Sequence, residues 1–269
     1  EMSQQFGDMR VQIGYLLVEK ENKAKIEAEM RLAGQLQKRF FPQDHFSNKN
    51  IDLTGYFEPA HDAGGDWWFY FEKDKKFIFL IGDVTGHGLN SAMMTGVSRS
   101  AFSLIEDLYQ SPSESLRLLN RAVYDTALGE LNMTCFVGSL DMETGLLTYA
   151  NASHEAPYVI PPLEKSLKIK DLNFLNGDGG LRLGQQKDAE YPENTFQLSS
   201  DMMVFLYTDG LTELKNASDE MLGERKLISG IGTNHNLQVS TQNMIQKVKS
   251  VVSVHRQNCD LNDDLSFMA

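Results

Sequence analysis

The stretch Phe77-Ile78-Phe79-Leu80-Ile81-Gly82-Asp83-Val84-Thr85-Gly86-His87-Gly88 decides how the rest of the chain is read. Its apolar run stops at Gly82-Asp83, and a helix-compatible segment follows from about Asn90. A short apolar run bounded by glycine is the pattern of a core strand. An aspartate at its end is carried by a rigid element with its oxygens facing a loop, which suits a metal ligand. The same residues also suit a plain turn leading into an ordinarily capped helix.

Working outward, the same arrangement recurs. Ile51 to Phe57 alternates as a half-buried strand does, and a loop with a proline and two glycines, Pro59-Ala60-His61-Asp62-Ala63-Gly64-Gly65-Asp66, leads to aromatic strand material from Trp67 to Phe71. Asp66 therefore sits where a loop meets a strand. Met202 to Tyr207 is wholly apolar, so it reads as a central strand, and it runs into Thr208-Asp209-Gly210. Phe196-Gln197-Leu198 is expected to pair with it as a hairpin across Ser199-Ser200-Asp201. A helix over about residues 238–255 leads to Asp260-Leu261-Asn262-Asp263-Asp264 and a closing strand, Leu265 to Met268. Paired aspartates at a strand entrance run against β propensity.

Between these motifs the pattern is helical from Asn90 to Gln110 and from Ser113 to Leu128, with Pro112 suited to a first turn. Met133 to Leu140 and Gly145 to Asn151 read as a hairpin, and Tyr158-Val159-Ile160 as a further strand. The region from Pro161 to Gln186 is loop-rich. Its Asn176-Gly177-Asp178-Gly179-Gly180 lacks a following Gly-Lys-Ser/Thr, which excludes a phosphate-cradling P-loop.

The N-terminal part is different. Asp8 to Phe41 has no proline and is rich in good helix formers. Met9, Ile13, Leu16, then Ile26, Met30, Ala33 and Phe40 follow a spacing of threes and fours that lapses between Lys20 and Lys25. This is an imperfect coiled-coil stripe. It fits a rod that pairs with a second copy and relays a signal, or a plain amphipathic helix packed on its own domain. Pro42 ends it, giving a helical linker over residues 1–41 and a globular domain over 42–269.

The whole chain sets the limits. Its 269 residues fit one large domain with an extension, and 41% hydrophobic content with seven prolines argues for a folded globule. A net charge of -12 disfavours a nucleic-acid surface, whose affinity comes from clustered Lys and Arg. Cys135 and Cys259 form no CxxC, so neither a disulfide framework nor a zinc knuckle is indicated. Three sequons, at Asn132, Asn151 and Asn216, follow no secretory segment, and no apolar stretch nears the roughly 20 residues that span a bilayer. A cytoplasmic setting is expected. The opening Glu1-Met2-Ser3 suggests a piece of something longer, with sensor or membrane-tethering parts N-terminal to it.

Taken together, AGGD, IGDVTGHG, TDG and DD resemble the signature of the PPM (PP2C-like) metal-dependent serine/threonine protein phosphatases, in the bacterial SpoIIE/RsbU-type branch. The resemblance covers about residues 38 to 269, with the motifs in order. It implies a four-layer α-β-β-α sandwich of two antiparallel sheets flanked by helices, here with the N-terminal helical extension. It also implies two divalent cations, Mn²⁺ or Mg²⁺, at one edge. On matching positions Asp83 would bridge both ions, Asp66 and the Val84 carbonyl would serve one, and Asp209 and Asp263 the other. Catalysis is expected to depend on Asp83 and Asp209. Oxygen donors suit such hard cations.

The implied reaction is hydrolysis of phosphoserine or phosphothreonine by metal-activated water. The implied substrate is a STAS-type anti-sigma factor antagonist, with gating through a homodimeric N-terminal helix that orders the segment from about Asn90 to Ser100. Asp264 reads as a turn or strand-cap acceptor and a possible supporting group. His87 reads as loop structure rather than a general acid, because its spacing from Asp83 differs from the better-known arrangement. His154, in Asn151-Ala152-Ser153-His154-Glu155-Ala156-Pro157, is expected to be architectural, with Ser153 standing where the pattern has glycine. Where the branch often carries another aspartate, three residues after Asp66, this chain has Phe69.

Other readings explain less. Gly64-Gly65-Asp66 is shared with diguanylate cyclases, but Trp67-Trp68 follows it, and the other acidic motifs would have no role. His61-Asp62 matches an HD-type dyad, yet Pro59 and Gly64 oppose the helix such a dyad needs. A catalytically degenerate phosphatase-like scaffold for partner switching, or a dimerisation module built on the N-terminal helix, would leave the acidic positions without purpose.

Overall fold

The computed structural model describes residues 2–86, 88–162, 167–232 and 240–269, with side chains of the first helix described at Arg10 and from Gln12 onward. The chain opens with α1 (Met2–Gln37), which continues through a 3-10 turn (Lys38–Phe40). Then come β1 (His45–Ser47), β2 (Asp52–Glu58), β3 (Trp67–Lys73), β4 (Lys76–Val84), α2 (Leu89–Leu108) and α3 (Pro112–Ala127). They are followed by β5 (Met133–Asp141), β6 (Leu146–Ala152), β7 (Tyr158–Ile160), β8 (Asn173–Phe174) and β9 (Asn194–Gln197). The chain closes with β10 (Met203–Tyr207), α4 (Asp209–Thr212), α5 (Gly223–Gly232), α6 (Thr241–Arg256) and β11 (Leu265–Met268).

The strands form two antiparallel sheets, ordered β1-β2-β11-β10-β7-β8 and β3-β4-β5-β6-β9. Side-chain alternation explains the layers. Along β4, Phe77, Phe79 and Ile81 enter the core between the sheets, while Ile78, Leu80 and Val84 face a second core under α2 and α3. Along β10, Val204 and Leu206 face the inter-sheet core, while Phe205 and Tyr207 face a third core under α5 and α6. Strands buried on both faces carry apolar residues at every position, which is why β4 and β10 read as continuous runs. The α-β-β-α sandwich is therefore as expected.

Local chemistry fixes the helix limits. Ser111 caps α3, its hydroxyl accepting the Glu114 N–H at 3.4 Å, and Pro112 takes the first position, where no N–H is needed. Leu128 closes the helix in the left-handed conformation.

Three expectations change. The β4 strand does not stop at Gly82: Asp83 and Val84 still pair with Thr134 and Met133. Asp83 is thus within the paired part of the strand, not beyond its mouth. The hairpin expected between residues 196–198 and 202–207 does not exist, because β9 pairs with β6 and β10 with β7 and β11. The half-exposed β9 suits an edge, whereas two-faced burial puts β10 inside the other sheet, so Ser199-Ser200-Asp201 links the sheets. Finally, α1 begins by Met2 and ends at Gln37, its last turn tightening into the 3-10 form.

Most of α1 stands clear of the domain. Ile13, Leu16, Leu17, Val18 and Ile26 are exposed, and close packing begins only with its C-terminal turns, where Gly34 and Gln37 are buried. No described helix is long and apolar enough to cross a membrane.

Candidate metal centre

The alternation that builds the sandwich also delivers the carboxylates. Asp83 lies on the face of β4 that carries Phe77, Phe79 and Ile81 into the inter-sheet core. Asp66 is two residues before Trp68, and Asp264 four before Met268, both on that same core's side. Thr208 follows Leu206 by two. Strands of both sheets thus end with polar groups pointing into one edge of the gap between them.

Neighbouring motifs hold each group. Asp66, only 2% exposed, accepts a hydrogen bond from the Thr208 hydroxyl at 2.7 Å. Thr208 is itself paired to Ser266, its N–H donating to the Ser266 carbonyl at 3.0 Å. The buried Asp264 carboxylate accepts the Gly65 N–H at 2.6 Å and the Ala60 N–H at 2.8 Å, so it fastens the loop that presents Asp66. The sequence suggested a turn or strand-cap acceptor; the bonds Asp264 accepts come instead from a loop far along the chain. Asp263 accepts the N–H of Asp264 at 2.8 Å.

Glycines mark where one motif presses on another. A Cβ on Gly65 would lie 2.7 Å from the Val84 carbonyl oxygen, so that oxygen faces the loop carrying Asp66. A Cβ on Gly210 would lie 2.0 Å from the Asp264 carbonyl oxygen, so the start of α4, with Asp209, abuts the DD pair. Asp209 opens α4 and is partly exposed.

The electrostatics follow from this crowding. Asp83 is pushed up to about 8, first by burial and then by the charges of Asp209 and Asp263, with a hydrogen bond with Asp66 offsetting part of the rise. Asp66 is raised well above the usual carboxylate range, first by burial, then by Asp83 and Asp264, against the Thr208 hydrogen bond. Glu155, on the surface, is raised by partial desolvation and then by Asp209, Glu224 and Glu213, an acidic rim beside Asp209. Carboxylates held together at such cost call for positive charge among them. Among the described residues, no three His, Cys, Asp or Glu side chains are drawn tightly enough to form a finished cation cage.

Asp66, Asp83, Val84, Asp209 and Asp263 are therefore brought to one edge. His87 lies outside the described residues. His154 is buried: a ring nitrogen meets the Thr134 hydroxyl at 2.8 Å, and Asn151 bonds both its N–H and its carbonyl. Burial lowers its pKa to about 4, so it is a neutral strut. Phe69 points the other way, into the helix-side core, with the Arg99 guanidinium 3.9 Å above its ring. Sequence reasoning missed the part played by Thr208 and by Gln37. Thr208 had a signal in its place between a central strand and Asp209; Gln37 had none.

This fold, with acidic motifs converging on one edge of a double sheet, is that of PP2C-like phosphatase domains. The SiaA-PP2C domain of Pseudomonas aeruginosa superposes with a TM-score of 0.74 at 20% identity, covering 92% of this chain and 96% of that one. Residues 73–269 match the family model described as Stage II sporulation protein E (SpoIIE), and the chain belongs to that family. Among curated relatives, Phosphoserine phosphatase RsbU of Bacillus subtilis (strain 168) is 25% identical over 268 residues, covering 97% of this chain and 76% of RsbU. Protein IcfG of Synechocystis sp. (strain ATCC 27184 / PCC 6803 / Kazusa) is 22% identical over 290 residues, and the chain spans only 44% of its length.

Proposed function

We propose that this chain is a divalent-cation-dependent protein serine/threonine phosphatase, the output domain of a bacterial signalling protein acting in the cytoplasm. The observation that carries the reading is the convergence of four separate acidic motifs on one sandwich edge, with Asp83 held at about 8 mainly by burial. The donor set fits the cations: carboxylate and carbonyl oxygens only, forced together in a poorly solvated place. Asp83, Asp66, the Val84 carbonyl, Asp209 and Asp263 are the groups that would hold the two ions, with Asp83 between the pair formed by Asp66 and Val84 and the pair formed by Asp209 and Asp263. Such a pair supplies an acidified water and neutralises the phosphoryl oxygens during in-line displacement.

The chain's own groups do the rest. Thr208 orients Asp66, Asp264 fixes the loop before it, and neutral His154 braces Thr134, the register partner of Asp83. The substrate in this reading is phosphoserine or phosphothreonine on a small STAS-type anti-sigma factor antagonist. The RsbU relative's name supports the serine part. Residues 1–41 form the linker, which pairs two copies and receives a signal from an N-terminal sensor, and residues 42–269 form the catalytic domain.

The decisive experiment is release of phosphate from a phosphoserine STAS-type protein with and without Mn²⁺, comparing the unmodified chain with Asp209→Asn. Activity that requires metal and falls by at least about a hundredfold in the variant is expected, since a two-metal clamp is lost. A chain that binds the STAS-type protein but shows neither Mn²⁺ affinity nor turnover would be a partner-switching scaffold instead.

A further inference from the structure

Gln37, the last residue of α1, belongs to none of the acidic motifs, yet it is 2% exposed. Its carboxamide makes both bonds of one glycine. Nε2 donates to the Gly64 carbonyl at 2.5 Å, and Oε1 accepts the Gly64 N–H at 3.0 Å. Gly34, one turn earlier, lets the helix come directly onto the same loop: a Cβ there would lie 1.8 Å from the Asp62 carbonyl oxygen.

The next residue is held from two other sides. Thr95 of α2 donates its hydroxyl to the Gly65 carbonyl at 3.0 Å, and Asp264 takes the Gly65 N–H. The Gly64–Gly65 backbone is thus gripped by α1, by α2 and by the entrance to β11, immediately before Asp66 and against the Val84 carbonyl. An amide buried to this degree costs desolvation unless its bonds are used. Here both are spent on the loop of the metal centre.

We propose that Gln37 is a positioning residue for the reaction, whose carboxamide sets the Gly64–Gly65 backbone so that Asp66 is presented beside the Val84 carbonyl. The end of α1 is then part of the metal centre. The inference rests on the two-cation reading of that centre. It adds to the gating expected from sequence a direct contact from α1 to the loop before Asp66, a loop that Thr95, in the segment after Gly88, holds from its other side.

The test is Mn²⁺ titration calorimetry on the full chain with Gln37→Met, a near-isosteric change that removes both bonds. Gln35→Met, an exposed position on the same helix, serves as control. Loss of this hydrogen bonding predicts Mn²⁺ affinity weaker by about tenfold in Gln37→Met. The half-saturating Mn²⁺ for phosphate release should rise in parallel, with kcat at saturating Mn²⁺ and KM for the phosphoprotein nearly unchanged. Gln35→Met should match the unmodified chain.

A purely structural amide would lower the thermal midpoint of the metal-free protein and leave Mn²⁺ affinity alone, and that result overturns the proposal. If Gln37→Met does not fold, Gln37→Glu, which keeps the acceptor for the Gly64 N–H, should show a smaller weakening; unchanged affinity in it overturns the proposal equally. Failure of the underlying reading looks different, since the unmodified chain would then bind no Mn²⁺ or would bind it as well after Asp83→Asn.

Discussion

Asp83 is costly to keep charged where the fold puts it, and that cost has a sign. Its carboxyl is pushed up to about 8, first by burial and then by Asp209 and Asp263. Between the ordinary carboxylate range and about pH 8 the folded protein therefore holds a proton that the unfolded chain has lost. Its favourable contribution is complete below the unfolded value and is lost as pH rises through the folded one. In EDTA, urea unfolding should show stability falling from about pH 5 to about pH 8, and Asp83→Asn should flatten that slope. At about pH 8 the variant should be more stable than the unmodified metal-free protein by on the order of 3 kcal/mol, after discounting for coupling within the cluster. Saturating Mn²⁺ should reverse the ranking, because cations reward the charged form that burial penalises. A slope of equal steepness in both proteins would mean that Asp83 is better solvated than its position implies. This is the trade-off expected of a site whose function needs charge where the fold would prefer none.

At the scale of elements, the centre depends on loops and strand ends that interlock through close backbone approaches. Gly210 is the sharpest case between the acidic motifs themselves, since a methyl group there would meet the Asp264 carbonyl oxygen at 2.0 Å. Gly210→Ala should force α4 away from the DD pair, destabilise the domain by about 1–3 kcal/mol through overpacking, and weaken Mn²⁺ binding along with it. Melting and calorimetry on the one variant would show both losses, and a neutral result would mean the junction is looser than its geometry. These interlocks also explain what could be read from sequence. The layers were legible because β4 and β10 are buried on both faces and so carry uninterrupted apolar runs. The acidic motifs stood out because aspartate at the end of such a run has no packing reason to be there. The β9–β10 crossover was not legible, since two short strands around a polar turn look alike whether they pair with each other or part for different sheets. Gln37 was invisible for a related reason: a glutamine in a helix rich in Glu, Gln and Lys carries no mark of the glycine it will bond, 27 residues on.

For the molecule as a whole, the question is what the free length of α1 is for. Its C-terminal turns are committed to the domain through Gly34 and Gln37, while Ile13, Leu16, Leu17, Val18 and Ile26 remain between 48% and 58% exposed. A lone helix that long, presenting apolar side chains to water with few tertiary contacts, gains little from its own propensity and is best stabilised by a partner that covers them. The proposed partner is a second copy, in keeping with the imperfect coiled-coil spacing of Ile13 and Leu16. Light-scattering mass should therefore give a dimer for the full chain and a monomer for a chain starting at residue 28, which keeps Gly34 and Gln37 on the loop before Asp66. Because the clamp survives in that truncation, its Mn²⁺ affinity should change only to the extent that pairing alters how α1 sits on the loop. A monomeric truncation with weakened Mn²⁺ binding would tie association at one end of the helix to ligand geometry at the other. Double substitution of Ile13 and Leu16 by Lys, which leaves the helix its full length, should reproduce both effects if pairing is the cause. If the full chain is a monomer at tens of micromolar, the exposed stripe serves some other contact, and any signal arriving at α1 must reach Gln37 without a second copy.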